Sequence, residues 1–516
     1  MPSATSGPGG PGDPVGGRID SIAIVGGGSA GWIAASMLAR TLGGSGCAIS
    51  VIESPDIATV GVGEATIPPI IELLKFLSIN EADFIHHTSS TFKLGIKFTD
   101  WRDPGHSYWH PFGTFGETIG LRPFYHYWHK ARSDGVPLKV SDFSLCATLG
   151  DQGKFRFPEQ KPGGPAAGLR YALHFDAGLV AKYLRAYAER LGVTCVQKAV
   201  NTATQRADGF LDELVFADDS RLKADFYIDC SGVNGLLIER TLQSGYVDWR
   251  EYLPCDRAVA VQTELGSARP PYTESFARAA GWRWRIPLQH RNGNGYVYSS
   301  AHLSDTEALD DLLNSVSEKT LTDPRVIRFV AGRRKQFWNR NCVALGLASG
   351  FLEPLESTSI HLVMSGVYKL LDYFPDRSFG QRNIEAYNSE LIHEMERIRD
   401  FIILHYCLTR RGDTPFWQHC RSMPIPDSLS QRIELYRETG RIRQQAGDLF
   451  SDLSWFYILE GMGVEPKHYD PLVDLMQPGQ LKEALAAVAG AVSAAARPAP
   501  SHDSHFMPGT QRSSVG

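Results

Sequence analysis

The stretch Ser21-Ile-Ala-Ile-Val25 followed by Gly26-Gly-Gly28-Ser29-Ala30-Gly31 constrains this chain more than any other. An apolar run that closes on G-x-G-x-x-G and continues into helix-forming sequence predicts a strand–turn–helix unit that binds a nucleotide. Gly26 allows the tight turn, Gly28 lets the backbone approach a pyrophosphate, and Gly31 lets helix and strand pack closely. The N-terminus of the helix, at Ser29 and Ala30, then faces the anion. The next apolar run, Ala48-Ile-Ser-Val-Ile-Glu53, ends on an acid about 20 residues beyond Gly31, where it can accept hydrogen bonds from a ribose diol. An adenine dinucleotide is the expected ligand.

A second apolar strand, Phe226-Tyr-Ile-Asp229-Cys-Ser-Gly232, resembles the returning strand of large FAD-dependent enzymes, and no second G-x-G-x-x-G marks a nicotinamide domain. FAD is therefore expected over NAD. Strands that alternate with helical stretches predict an α/β fold with a parallel sheet. The expected plan is a tail over 1–19, an FAD-binding Rossmann-like module of the hydroxylase type over 20–350 with an inserted β-rich substrate region, a mostly helical part over 351–495, and a second tail over 496–516. Within it, residues 100–125 read as loop, 305–319 as a helix, and Asp176 as the N-cap of a helix over 176–191. The formal charge of -5 and the lack of any basic run argue against nucleic acid and an anionic membrane. No apolar stretch is long enough to span a bilayer. The eight cysteines form no C-x-x-C pair and read as reduced thiols of a cytoplasmic protein.

Two further stretches carry chemistry. Gly61-Val62-Gly63-Glu64-Ala65-Thr-Ile-Pro68 reads as a turn into a helix, whose start could present backbone N–H groups to a flavin ring. In Gly281-Trp282-Arg-Trp284-Arg-Ile286-Pro287, strand alternation puts Trp282, Trp284 and Ile286 on one face as a wall that Pro287 terminates.

This W-x-W-x-I-P pattern resembles the hallmark of flavin-dependent tryptophan halogenases, in which the wall separates flavin from organic substrate. Further motifs of that family follow the glycine loop in order: GVGEATIP at 61–68, FKLGIKF at 92–98, HFDA at 174–177, IDCSG at 228–232 and GLASGFLEPLEST at 346–358. The resemblance runs from about residue 20 to about 465. It implies a catalytic lysine at Lys93, with nearby Lys97 structural, and a catalytic glutamate at Glu356. It implies halide bound by backbone amides at Thr358 and Ser359. Flavin contacts fall at Val62, Gly63, Glu64, Ala65, Val200, Leu347 and Ile360. His110 and Phe112 match positions that sandwich the substrate ring. Phe450 and Trp455 are candidate aromatic contacts from 447–463.

The activity so implied is FADH2-dependent halogenation. Oxygen and chloride or bromide yield hypohalous acid, which is delivered to Lys93 and transferred to an electron-rich aromatic carbon of tryptophan, indole or an indole-containing metabolite. A separate flavin reductase would supply FADH2. Many relatives are homodimers, and nothing in this sequence sets the oligomeric state. Two departures bear on this expectation. Ser359 stands where the family often has glycine, and the 447–463 segment is short and lacks recognisable residues for gripping the amino-acid backbone of tryptophan. The competing readings are a single-component flavin aromatic hydroxylase, whose usual Gly-Asp pair is absent at Gly346-Leu347, and a non-catalytic flavin-binding protein.

Overall fold

The computed structural model describes residues 17–55, 63–114, 119, 122–159, 164 and 166–507. The strand Ser21–Val25 has four buried positions out of five and lies inside a six-stranded sheet. The order is Trp338–Asn339, Cys342–Ala344, Phe226–Asp229, Ser21–Val25, Ala48–Glu53, Thr194–Gln197. All neighbours run parallel except the edge pair Trp338–Asn339 with Cys342–Ala344. Helix Ser29–Leu42 follows the glycine loop, and helix Ala177–Arg190 starts on Asp176, whose carboxylate accepts from the Gly178 and Leu179 amides. Burial on both faces explains why the strands read as continuous apolar runs. The expected α/β fold with a parallel FAD-type sheet is thus present.

A seven-stranded sheet carries the tryptophans. Its order is Arg325–Arg328, Arg257–Thr263, Asn292–Tyr298, Gly281–Pro287, Thr273–Arg278, Gly95–Thr99, Ser107–Pro111. Every pairing is antiparallel except that of Thr273–Arg278 with Gly95–Thr99. Residues 100–125, expected as loop, therefore contain a strand, Ser107–Pro111, and the start of helix Phe124–Ser133. Aromatic density hid the strand, because both of its faces are buried after Ser107 and no polar alternation survives. The helix expected over 305–319 ends at Asn314.

A smaller, three-stranded sheet packs beside the tryptophan sheet. It has the order Gly63–Ala65, Ala172–Asp176, Thr91–Lys93. It packs against the tryptophan sheet: a Cβ at Gly63 would lie 3.2 Å from Ile286, and the Thr91 hydroxyl donates to the Pro287 carbonyl at 2.6 Å.

Helices dominate from Ser359 onward, the longest being Gln381–Cys407. Its early apolar positions Ile384, Tyr387, Leu391 and Met395 recur at helical spacing. From Ile398 to Tyr406 every residue is buried, because this end runs between the tryptophan sheet and the outer helices. The C-terminal stretch also corrects an expectation. The presumed tail from 496 is packed as far as the short helix His502–Phe506, with Ala499 and His502 buried. Residues 1–16 and 508–516 lie outside the described residues, whereas Ile19, at the end of the expected first tail, is buried. Among the described residues no helix is long and apolar enough to cross a membrane. All eight cysteines are free.

Candidate active site

The glycine loop has the geometry that its sequence implies. Gly26 has φ +119°, and a Cβ there would lie 2.2 Å from the Cys230 carbonyl oxygen. A Cβ on Gly31 would lie 1.9 Å from the Gly26 carbonyl oxygen. At Gly28 the same test meets nothing within 4 Å, so the loop is tight on its inner side and open where a pyrophosphate would approach. Glu53 ends its strand beside Gly27 and pairs through Oε2 with Arg185 at 3.0 Å. Ser29 donates to the Ala177 carbonyl.

Gly346 presses against Ala30, a Cβ there lying 2.8 Å from the Ala30 methyl. The next residue, Leu347, is 47% exposed, as is Val233 at 50% after the IDCSG strand. Two large aliphatic side chains left open beside a glycine loop fit an apolar ring system laid across them. Ile360 is buried in the first turn of helix Ser359–Asp372, and Val200 packs against the cluster that contains Val25 and Ile52. Gly63, Glu64 and Ala65 form the strand against Ile286, while Val62 lies outside the described residues. These residues fit FAD.

The wall stands where alternation predicts. Trp282, Trp284 and Ile286 are buried on one face, and Arg283 and Arg285 point the other way, to Ser315 and Glu274. The Trp284 ring covers Gly295 on the neighbouring strand, where a Cβ would collide with it at 2.1 Å. The Trp282 indole N–H donates to Glu353 at 2.7 Å, and the same carboxyl oxygen accepts from Tyr406 at 2.6 Å. Burial pushes the Glu353 carboxyl up to about 7, with these two donors opposing it.

Lys93 is the last residue of its strand and 0% exposed. Its ammonium donates to the Thr66 carbonyl at 2.9 Å and to Ser357 Oγ at 2.7 Å, and lies 5.2 Å from the centre of the Phe112 ring. Burial drives the amine down to about 7, and the nearby Glu356 charge works in the opposite direction. Lys97, four residues on, instead pairs with Asp151 at 2.7 Å.

Glu356 is also fully buried. His110 Nδ1 donates to its Oε2 at 2.6 Å. His405 Nε2 lies 2.8 Å from Oε1. His405 Nδ1 in turn meets the Tyr108 hydroxyl at 2.9 Å. Burial alone would raise the Glu356 carboxyl, but the two imidazoles outweigh it and hold it at about 2. A carboxylate flanked in this way stays anionic despite its burial.

The turn that joins these groups is Ser357, whose φ of +59° is left-handed. It lets Glu356 face the histidines while Ser357 Oγ reaches Lys93. Helix Ser359–Asp372 begins immediately after, with no side chain among the described residues capping its N-terminus. The amide of Ser359 and those that follow it in the first turn therefore have no intrahelical acceptor, as at any uncapped helix start. Ser359 is helical and absent from the positive-φ positions, so glycine is not required there; the strained position is Ser357.

Phe450 stacks on Phe401 at 3.9 Å, and its ring lies 5.8 Å from that of His110. Trp455 meets Phe401 edge-on at 5.1 Å. The structure therefore brings His110 against Glu356 and Phe112 against Lys93, with Phe450 beside His110 and Trp455 one ring further away. Thr66, Tyr108, Glu353, Ser357 and His405 were not singled out in the sequence. Glu353 had a signal, a second acid three residues before Glu356. His405 had none, because its partners are remote in the chain.

The tryptophan halogenase family model matches residues 21–478. The chain is similar to the tryptophan 7-halogenase RebH of Lentzea aerocolonigenes, at 34% identity over 92% of this chain and 95% of that protein. Its structure is similar to BrvH, a flavin-dependent halogenase from Brevundimonas sp. BAL3 (44% identity, TM-score 0.91, 95% of this chain and 99% of that one). It is similar too to the tryptophan 6-halogenase SttH of Streptomyces toxytricini (32% identity, TM-score 0.87, 95% and 99%). With the glycine loop, the tryptophan wall and the buried Lys93–Glu356 pair on one scaffold, the chain belongs to the tryptophan halogenase family of flavin-dependent enzymes.

Proposed function

We propose that this protein uses FADH2, oxygen and chloride or bromide to halogenate an electron-rich aromatic carbon, with indole as the ring class. The observation that carries the reading is the shared burial of Lys93 and Glu356, linked through Ser357, beside a wall of Trp282, Trp284, Ile286 and Pro287. Bound FADH2 supplies, with oxygen and a halide held at the Thr358 and Ser359 amides, the hypohalous acid. The wall keeps the ring from reacting at the flavin, which is what a hydroxylase would require. Lys93 receives the electrophile, and its fixed amine directs attack to the carbon that the pose presents. There the carbon–halogen bond forms, the halogen's bond to nitrogen or oxygen breaks with its electron pair left on that atom, and the ring proton leaves last to the amine or hydroxide so released. Glu356, held near 2, is the anion that stabilises the ring cation, being too weak a base to match neutral pH. His110, Phe112 and Phe450 bound the ring, with Trp455 behind.

For the substrate, one observation favours an indole without a required amino-acid backbone. Within 447–463, Tyr457 donates to the Val140 carbonyl and Glu460 pairs with Arg132, so both are engaged by the chain's own groups. A separate flavin reductase provides FADH2, and the enzyme acts in the cytoplasm.

The test is incubation with a flavin reductase, NADH, FAD and bromide over a panel of indoles and free tryptophan. Brominated indole, recognised by its isotope doublet and absent with Lys93→Ala despite intact FAD binding, is the expected result. Hydroxylated product without halide, or full activity of Lys93→Ala, overturns the proposal.

A further inference from the structure

The strand that carries Lys93 is an edge strand. Thr91–Lys93 pairs with Ala172–Asp176 on one side only. On its open side the Phe92 amide, one residue before the lysine, donates to His502 Nε2 at 3.2 Å. His502 is 0% exposed, and its Nδ1 is held by the Arg269 carbonyl at 2.7 Å, which makes Nδ1 the protonated nitrogen and Nε2 the acceptor. The segment around it is itself anchored: the His502 amide donates to the Gly153 carbonyl at 2.8 Å, and the Phe155 amide to the Pro500 carbonyl at 3.2 Å. Phe155 stacks on Phe92 at 3.9 Å, and Phe506 and His505 close over Phe92 at 5.7 and 5.6 Å. Of these groups, Pro500, His502, His505 and Phe506 lie beyond residue 478, where the match to the family model ends.

We infer that the 499–506 segment is a strap that fixes the Lys93 strand, and that His502 is a positioning residue for the lysine. An unpaired edge amide beside the site would leave the strand free to fray. The imidazole acts as the missing strand neighbour, and the rings grip Phe92 from the same side. Because Lys93 is the strand's last residue, a shift at Phe92 moves its ammonium off Thr66 and Ser357. The tether works only with Nε2 unprotonated. Burial, partly opposed by the Arg269 carbonyl, holds His502 at about 3, so the acceptor persists through the neutral range.

The inference rests on Lys93 being catalytic, so the experiment has one arm that needs no turnover. Hydrogen exchange of the peptide containing Phe92 is compared in the full-length wild type, His502→Ala and His502→Gln, alongside FAD affinity and kcat and KM for indole bromination. Gln places an amide oxygen near the position of Nε2. Expected for His502→Ala are exchange at Phe92 faster by at least about tenfold and kcat lower by about tenfold to a hundredfold. FAD affinity and KM stay within about twofold, and His502→Gln recovers both losses. Unchanged exchange in His502→Ala overturns the tether. Faster exchange with unchanged kcat overturns the positioning role. If His502→Ala does not fold, His502→Gln with Phe92 exchange unlike wild type overturns the acceptor role. If the wild type does not brominate any indole, the proposed function fails, and the exchange arm still decides the tether.

Discussion

Replacing Lys93 by methionine separates what the lysine costs from what it does. Its amine is held at about 7 against an ordinary 10.5. The unfolded chain therefore binds the extra proton between those values, and the native state resists it. The sign follows: the depressed native pKa destabilises the fold at and below pH 7, and that penalty fades as pH rises toward 10.5. At pH 7 the penalty is on the order of 4 kcal/mol, and by pH 10 it has fallen to about 1 kcal/mol. Methionine fills similar space without a charge but leaves the Thr66 carbonyl and Ser357 Oγ without their donor, a loss of about 1–3 kcal/mol each that does not vary with pH. The measurement is denaturant unfolding of wild type and Lys93→Met at pH 7, 8, 9 and 10, with bromination assayed in parallel. The wild type should gain on the variant by about 3 kcal/mol across that range, while the variant keeps FAD and makes no halogenated product. Parallel stability curves would refute the claim that Lys93 is buried with a depressed pKa, whatever the activity shows.

Glu356→Gln removes the charge that opposes the depression of Lys93. The amine then titrates lower still, and kcat for bromination falls by about 10²–10³, checked by NMR titration of the lysine and by product analysis. At Glu353, Leu strands two buried donors, Trp282 and Tyr406, and should destabilise the fold by about 2–4 kcal/mol and divert reduced flavin to peroxide. Gln keeps an acceptor and should match wild type in both the unfolding and the peroxide assay. Gly26→Ala drives a Cβ into the Cys230 carbonyl at a φ of +119°. It should abolish FAD retention on gel filtration while Ser359→Gly leaves retention unchanged.

How much of this was legible beforehand depended on whether a feature is local. The Gly26–Gly31 loop, the Asp176 cap and the one-faced array of Trp282, Trp284 and Ile286 follow from turn sterics, capping and strand alternation, which act within a few residues. The resemblance to halogenases supplied Lys93 and Glu356. It did not supply the His110–Glu356–His405–Tyr108 network, because His405 and Tyr108 are joined only when the long helix crosses the tryptophan sheet. Strand Ser107–Pro111 was missed because burial of both faces removed its alternation. The C-terminal segment reads as a tail in the sequence because its helix, His502–Phe506, is only five residues long, too short to set up an apolar period, and its anchoring partners are remote in the chain.

By itself the sequence determined the nucleotide fold, the order of the motifs and the kinds of group the chemistry requires. Those are consequences of short-range geometry and apolar patterning. Only the tertiary structure decided the charge state of those groups. Burial brings Lys93 down to about 7 against the pull of Glu356, whereas His110 and His405 hold Glu356 at about 2 despite its burial. Desolvation and pairing depend on what the rest of the chain packs against a side chain, and that cannot be read from its neighbours in sequence.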